Sequence, residues 1–263
     1  MTNRATQAEC LEQRIAENRG SQAIDLENWI FERVPIKSGD RVLELCCGTG
    51  GQTLRILESV GKEGGVAALD VSADALRALA EKAGERLSQK LTLIEASLDG
   101  LADALRNKGF RPPSFDLIFC AYCLYYAREP QATLEESLRW LNAGGRIVVV
   151  GPFGPNNKSL FDLVRACGVT IAAPVVFSSE QFMWQTVLPW GTQKFESVRV
   201  STMVNPVRWT SKERVVNYWK NTTFYDAARQ SELEARLDRH FAEHGEFVNE
   251  KWVMMVEMEN VRP

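Results

Sequence analysis

The sequence has no long apolar run, no surplus of positive charge and only two histidines among its 263 residues. Its longest apolar stretches, such as residues 169–177, are too short to cross a bilayer, and the first twenty residues lack the apolar core of a signal peptide. The 31 basic residues are outnumbered by 34 acidic ones, a net charge of −3, so charge gives no reason to expect a nucleic-acid or membrane partner. We therefore expect a soluble, cytoplasmic protein.

A zinc motif is also absent, because the six cysteines lack the spacing it requires. Cys120 and Cys123 make a single C-x-x-C pair, whereas a structural zinc site ordinarily needs a second pair or nearby histidines. His240 and His244 are one helical turn apart but lack the glutamate of an H-E-x-x-H motif. The pattern predicts reduced thiols and no metal site.

Short apolar runs alternate with segments of helical period between residues 40 and 151. Five runs predict strands, at residues 41–45, 66–70, 91–94, 115–121 and 147–150. Helical patterns fall between them, one of them at residues 134–141, and Ser72 is placed to cap another. Because continuous apolar strands separated by helices are typical of parallel sheets covered on both faces, this stretch predicts βαβ units.

A glycine-rich turn, from Gly48 to Gly51, follows the first predicted strand and precedes a helix. Such a turn places backbone N–H groups and a helix N-terminus at the carboxyl edge of the sheet, where open α/β folds bind ligands. Asp70 ends the second strand 22 residues after Gly48, a spacing at which an acid can accept hydrogen bonds from both hydroxyls of a ribose. The sequence therefore predicts a nucleoside site.

Two residues that flank the turn disfavour binding of a dinucleotide. Thr53 stands where the G-x-G-x-x-G fingerprint has its third glycine. That glycine allows the helix to pack closely against the strand, and a threonine side chain would hinder this packing. Glu44, four residues before Gly48, would repel a pyrophosphate but would suit a cofactor that carries an amino acid. Nicotinamide binding is therefore the weaker interpretation.

Four motifs, in the right order, are similar to those of one family. Residues 42–50 (VLELCCGTG) resemble the first motif of class I S-adenosylmethionine-dependent methyltransferases, with Cys46 where a glycine is usual. Asp70 is similar to the family's ribose-binding acid, and residues 115–120 (FDLIFC) resemble its fourth motif. Residues 139–147 (RWLNAGGRI) resemble the turn into the fifth strand. The resemblance covers residues 25–151.

The resemblance implies a fold, a cofactor and a set of binding residues. The fold is an α/β, Rossmann-like, seven-stranded and mostly parallel sheet with helices on both faces and an aromatic-rich insertion or lid after strand five. The cofactor is S-adenosylmethionine. The implied cofactor-binding residues are Glu44, Cys46, Gly48, Gly50, Thr53, Asp70, Val71, Ser97, Leu98, Cys120, Ala121 and Arg19. Ser97 stands where the family often has an aspartate near the adenine, and Arg19 would meet the cofactor carboxylate.

We expect a single methyltransferase domain over residues 1–263. Its expected parts are an N-terminal helical segment covering the cofactor site (1–39), a cofactor-binding core (40–151), an insertion or lid with the substrate pocket (152–232), and a C-terminal helix and last strand (233–263). Residues 177–225 hold ten of the chain's 24 aromatic rings, which fits an apolar acceptor pocket and, equally, the lid's own core.

Methyl transfer from a sulfonium requires alignment of the acceptor more than a particular base. In the family's strand order, strands one and four are neighbours, so Tyr122, Tyr125 and Tyr126 would face the donor methyl and are candidates to position substrate. The catalytic residue itself is unknown at this stage. The same order brings Cys46 and Cys47 towards the C-x-x-C pair, which leaves a metal or redox role of these thiols open.

The leading hypothesis is a methyltransferase that modifies an oxygen, nitrogen or carbon of a small-molecule acceptor. Nucleic-acid substrates are disfavoured, because the fourth motif lacks an Asn/Asp-Pro-Pro-aromatic clamp and no basic stripe is present. A non-catalytic module that binds S-adenosylmethionine or S-adenosylhomocysteine for regulation is the alternative, and a nucleotide-dependent oxidoreductase is a third. Neither the acceptor nor the oligomeric state follows from the sequence.

Overall fold

The computed structural model describes residues 8–262, without the side chains of residues 8, 86 and 87. Its strands are β1 (Arg41–Leu45), β2 (Gly65–Asp70), β3 (Leu91–Glu95), β4 (Phe115–Ala121), β5 (Leu141–Pro152), β6 (Phe195–Trp209) and β7 (Phe247–Val261). Its helices are α1 (Ala8–Asn18), α2 (Leu26–Phe31), α3 (Gly51–Ser59), α4 (Ala73–Ser88), α5 (Leu101–Asn107), α6 (Pro130–Trp140), α7 (Lys158–Ala166), α8 (Ala173–Glu180), α9 (Leu188–Lys194), α10 (Lys212–Lys220) and α11 (Gln230–His244).

The seven strands form one sheet in the order β3-β2-β1-β4-β5-β7-β6. The neighbours from β3 through β5 pair in parallel. Leu45 at the end of β1 lies opposite Leu69 of β2 on one side and Cys120 of β4 on the other. The predicted seven-stranded, mostly parallel sheet and the neighbouring positions of strands one and four are confirmed. The order reverses between β1 and β4, which makes their carboxyl ends the switch point of the sheet.

The central strands form because consecutive residues are apolar and both faces are covered. In β1, Val42, Leu43 and Leu45 are buried although successive side chains point to opposite faces. At the start of β5, a helix predicted to end at residue 141 ends at Trp140 instead. Leu141 already pairs with Phe115, and the register shifts before Arg146 pairs with Leu117, so Gly144 (φ 75°) lies in an irregular segment of the strand.

The described residues divide into two compact units. The sheet unit comprises Leu26–Gly151, Phe182–Ser201 and the described part of Met254–Pro263. The auxiliary unit comprises the described part of Met1–Asp25 together with Pro152–Gln181 and Thr202–Val253. Strands β6 and β7 each contribute one portion to the sheet unit and the other to the auxiliary unit.

The auxiliary unit has an aromatic core of its own. Trp209, Tyr218, Trp219 and Phe247 are buried there, with Trp209 stacked on Phe247 at a ring-centroid distance of 6.2 Å. In the sheet unit, Phe182, Trp190 and Phe195 are buried as well. Most rings of the aromatic-rich segment thus belong to the cores of the two units. The described residues contain no helix that combines the length and the apolar character needed to cross a membrane.

Candidate functional site

The turn between β1 and α3 is built from residues in the left-handed region of backbone space. Cys46 (φ 56°), Gly48 (φ 55°) and Gly50 (φ 88°) all lie there. At Gly50 a Cβ atom would stand 2.3 Å from Leu79 Cδ1, so this position needs glycine both for its conformation and for its close approach to α4. Cys46 takes the same kind of conformation without being glycine, and such strain in a non-glycine residue is typical of functional sites.

The carboxylate of Asp70 holds the turn from the end of β2. Its Oδ2 accepts a hydrogen bond from the Gly48 amide at 2.8 Å, and its Oδ1 accepts one from the Ser72 amide at 2.9 Å. Ser72 caps α4 as predicted, since its hydroxyl accepts from the Ala75 amide at 3.2 Å. Asp70 is nearly buried, and each of its oxygens keeps a second lone pair for a ligand hydroxyl.

Glu44 on β1 is a carboxyl group buried without a full set of partners. It is 2% exposed, and its Oε2 has no hydrogen-bond partner. Burial raises the pKa of Glu44 from its ordinary 4.5 to about 8; the nearby Thr53 hydroxyl opposes this rise, and the charges of Asp70 and Glu27 add to it. The Thr53 oxygen is also buried and has no partner of good hydrogen-bond geometry.

The buried carboxyl group of Glu44, beside the glycine turn, indicates which kind of cofactor the site can hold. A buried carboxyl group without a partner is costly, and a ligand ammonium group would satisfy it. A pyrophosphate would instead add negative charge next to Asp70 and would offer Glu44 no cation to pair with. The residues present therefore fit a cofactor that joins a nucleoside to an amino acid, as S-adenosylmethionine does.

Glu27 is a part of this site that sequence reasoning missed. Its charge acts on Glu44, and its Oε1 lies 2.8 Å from where a Cβ atom on Gly51 would stand. Any side chain at Gly51 would therefore displace this carboxylate. Glu27 lies on the short helix α2, well before β1 in the chain, and no local pattern marked it.

The remaining predicted residues of the sheet unit lie around the same strand ends. Val71, directly after β2, is 53% exposed and offers an apolar surface. Ser97 precedes the short 3-10 helix Leu98–Gly100, in which Leu98 is buried. The Ala96 amide donates to the Asp70 carbonyl at 3.0 Å, which ties the segment after β3 to the end of β2. Ala121, partly exposed, is the last residue of β4.

Two of the four cysteines considered together, Cys120 and Cys123, are in direct contact. Their Sγ atoms are 3.1 Å apart, and Cys123 also donates to the Leu45 carbonyl at 3.3 Å. Cys46 lies near enough to Cys123 for each thiol to affect the pKa of the other. Cys47 points away, towards the Gly48 carbonyl. Burial, followed by its two thiol partners, raises the pKa of Cys123. Within residues 8–262 no group of three or more His, Cys, Asp or Glu side chains is arranged to hold a metal ion.

Aromatic rings of the sheet unit follow the end of β4. Tyr122 has a φ of 58°, and its amide donates to the Val150 carbonyl at 2.8 Å. Tyr125 packs edge-on against Tyr126 at 4.7 Å and against Phe182 at 5.7 Å between ring centroids. Tyr126 is 54% exposed, and Trp184, within the π-helical turn Met183–Val187, is 47% exposed. Because π-helical turns are frequent at functional sites, these rings are candidates for a binding surface.

Residues 36–185 match a protein-family model described as a methyltransferase domain, which covers more than half of the chain. The chain belongs to this methyltransferase family. The match confirms the predicted class I S-adenosylmethionine-dependent methyltransferase family and, with it, S-adenosylmethionine as the cofactor of the class.

Similar proteins agree with this family. A demethylmenaquinone methyltransferase of Lactococcus lactis subsp. lactis (strain IL1403) is 32% identical over 136 residues, 51% of each chain. A ubiquinone/menaquinone biosynthesis C-methyltransferase of Rhizobium leguminosarum bv. trifolii (strain WSM2304) is 34% identical over 113 residues, 43% of this chain and 41% of the relative. The chain thus spans about half the length of the curated relatives it matches.

A solved structure shares the fold. The YcgJ protein of Bacillus subtilis superposes with a TM-score of 0.60 at 14% identity, over 90% of this chain and 98% of the other. This superposition supports the fold of the methyltransferase. At an identity this low, it carries no information about the acceptor.

Arg19 is the one predicted cofactor residue of the methyltransferase that lies in the auxiliary unit. Its amide donates to the Ile15 carbonyl at 2.9 Å, and its own carbonyl accepts from Arg214 at 3.3 Å. Contact between its guanidinium and the cofactor carboxylate stays a prediction.

Proposed function

We propose that the protein transfers a methyl group from S-adenosylmethionine to a small-molecule acceptor by in-line displacement, mainly through positioning. S-adenosylmethionine supplies an electrophilic methyl group on a sulfonium. The protein's part is to hold donor and acceptor in line and to exclude water, which can supply a large share of the rate.

The observation that carries the proposal is the buried carboxyl group of Glu44, whose Oε2 has no hydrogen-bond partner. With a pKa of about 8 it is mostly protonated at neutral pH, so an ammonium group placed beside it would release its proton and form an ion pair. Thr53, whose hydroxyl is also without a partner of good geometry, would complete this polar end of the site. No nicotinamide cofactor would compensate Glu44 in this way.

The other donor contacts follow from the strand ends. Asp70 would accept hydrogen bonds from the ribose hydroxyls with its remaining lone pairs, while Gly48 and Gly50 keep side chains out of the turn. Val71 and Leu98 would pack on the adenine, and Ser97 would hydrogen-bond it. Cys46, Cys120 and Ala121, at the ends of β1 and β4, would line the methyl side of the site.

The acceptor that the exposed rings favour is itself ring-bearing. Tyr126 and Trp184 present aromatic surface, and Tyr125 is packed between Tyr126 and Phe182. The relatives named above are demethylmenaquinone and ubiquinone/menaquinone methyltransferases, and reduced quinones are ring-bearing acceptors of this kind. We propose that Tyr126 and Trp184 orient such a ring, with Tyr122 and Tyr125 shaping the approach to the donor methyl.

We also expect a cytoplasmic location and no nucleic-acid partner.

Calorimetry tests the donor half of the proposal. Protein freed of bound ligand should bind S-adenosylmethionine and S-adenosylhomocysteine at micromolar concentration, about −8 kcal/mol, and should not bind NAD. Binding of NAD in place of both would contradict the proposal.

Turnover tests the acceptor half. The protein is incubated with S-adenosylmethionine and a panel of hydroquinones, phenols and amines, and formation of S-adenosylhomocysteine is followed. Tyr126→Ala should lower kcat/KM for a ring acceptor by roughly 10-fold, whereas Tyr126→Phe, which keeps the ring, should lower it less. Tight donor binding without turnover on any acceptor would favour the regulatory binding module.

A further inference from the structure

The ammonium group of Lys251, in the auxiliary unit, is hydrogen-bonded to a phenol and not to a carboxylate. Its Nζ donates to the Tyr218 hydroxyl at 2.6 Å and lies 4.2 Å from the centroid of the Tyr218 ring. A second hydrogen bond goes to Asn157 Oδ1, which also accepts from Asn249 Nδ2 at 2.9 Å. Lys251 is partly buried and Tyr218 nearly fully. The ammonium group therefore has neutral partners only.

A second cation stands close to the same phenol. Arg14 lies on α1, which packs against α10, the helix that carries Tyr218, and its charge acts on both Tyr218 and Lys251. Its Nε is buried without a hydrogen-bond partner. The buried polar atoms Asn18 Oδ1 and Ser21 Oγ, further along the same segment, also have no partner. Polar groups in this condition are expected where a ligand or water completes the hydrogen bonds.

Within the described part of the chain, no carboxylate forms a recorded ion pair with Lys251 or Arg14. Glu17, one turn after Arg14, is paired with Arg214, whose Nε is 3.1 Å from Glu17 Oε2. Glu250 precedes Lys251 on β7, points to the opposite face and accepts from Trp252 Nε1 at 3.0 Å. Among the described residues, no acidic side chain contributes to the electrostatics of Lys251 or Tyr218. Paired cations that are partly withdrawn from water without a counter-charge are unfavourable.

The pKa values of Tyr218 and Lys251 are both affected by the positive charge of Arg14. Burial alone would raise the pKa of Tyr218, but the charges of Lys251 and Arg14 outweigh it and the pKa is lowered. Burial lowers the pKa of Lys251, the Tyr218 phenol opposes this, and Arg14 adds to it. The lowered pKa of Tyr218 therefore reflects the two nearby cations, whereas that of Lys251 reflects burial first and Arg14 after it.

We propose that Lys251, Arg14 and Tyr218 form a binding site for one oxyanion group, a carboxylate or a phosphate, of a small molecule. Lys251 has a third N–H beyond its bonds to Tyr218 and Asn157, Arg14 offers its Nε–H, and Tyr218 offers its hydroxyl. The inference does not depend on methyl transfer, because it concerns binding to the auxiliary unit alone.

Calorimetric titration with inorganic phosphate and, separately, with acetate at constant ionic strength tests the proposal. The wild-type chain should bind one equivalent of one of them with a Kd of about 1–10 mM, and the preferred anion distinguishes a tetrahedral from a planar group. Lys251→Met and Arg14→Gln should each weaken this binding by roughly 10-fold or more. The matched controls Lys158→Met and Arg165→Gln, on exposed side chains of α7 in the same unit, should leave it unchanged.

Two results would overturn the proposal. One is the absence of saturable binding of either anion to the wild-type chain up to about 100 mM, a measurement that requires no variant to fold. The other is binding that Lys251→Met and Arg14→Gln leave unchanged, which would place the anion elsewhere. Loss of stability in Lys251→Met leaves the Arg14→Gln comparison and the wild-type titration to decide.

Discussion

The amide of Gly48 donates a hydrogen bond to the carboxylate of Asp70 over 2.8 Å, so the acid that ends β2 also holds the turn that follows β1. The nucleoside site and the glycine turn are therefore one structural unit. Asp70 supports the turn and, in the proposed function, also accepts hydrogen bonds from ligand hydroxyls, so its removal should affect both stability and binding.

Asp70→Ala should weaken S-adenosylmethionine binding by at least roughly 30-fold and lower the free energy of unfolding by about 1–3 kcal/mol, since two amides lose a charged acceptor. Calorimetry and urea unfolding measure the two effects. Asp74→Ala is the matched control, because Asp74 is an exposed acid of the same region whose partner is Arg77. Unchanged donor affinity in Asp70→Ala would remove Asp70 from the site.

Binding of the donor should release a proton from Glu44. Its pKa is about 8 in the ligand-free protein, and an ammonium ligand favours the ionised form, so the pKa falls on binding. Near pH 7 about one proton should be released per S-adenosylmethionine bound, and affinity should rise with pH up to about 8. Calorimetry in buffers of different ionisation enthalpy counts the protons. Glu44→Gln should abolish the release and weaken binding; proton release that persists in this variant would assign it to another group.

Local patterns were enough to predict the frame of the donor site. The strand at residues 115–121, the glycine turn and Asp70 all depend on neighbours within a few positions, and the structure places each as predicted. Glu27 could not be found in this way, because its effect on Glu44 depends on how α2 packs. The pairing of Tyr218 with Lys251 joins residues 33 positions apart on a helix and a strand, and only the tertiary fold brings them together.

The raised pKa of Glu44 should also make stability depend on pH. The folded state binds this proton up to about pH 8, whereas the unfolded chain loses it near 4.5. Stability from this group is complete below pH 4.5 and is lost as the pH rises through 8. Between pH 5 and 8, wild-type stability should therefore fall relative to Glu44→Gln by roughly 3–4 kcal/mol. Urea unfolding of both proteins across this range measures it, and parallel pH profiles would contradict the buried state of Glu44.

Gly50→Ala should destabilise the protein by roughly 3–4 kcal/mol, because the new Cβ would meet Leu79 Cδ1 at 2.3 Å in addition to the strain at φ 88°. Gly109→Ala is the matched control: Gly109 has a similar φ of 86°, but a Cβ there meets nothing within 4 Å. The control should lose only about 1–2 kcal/mol. Thermal unfolding of both variants separates the clash from the backbone strain, and equal losses would show that α4 moves away from the turn.

The buried thiols should resist alkylation in the folded protein. Burial raises the pKa of Cys47 and of Cys123, and the thiolate is the reactive form. Iodoacetamide at neutral pH should therefore leave Cys47, Cys120 and Cys123 unmodified, whereas all six cysteines should react in urea. Peptide mass spectrometry identifies the labelled positions. Rapid labelling of Cys123 in the folded protein would show that the end of β4 opens, and the contact between Cys120 and Cys123 would then be transient.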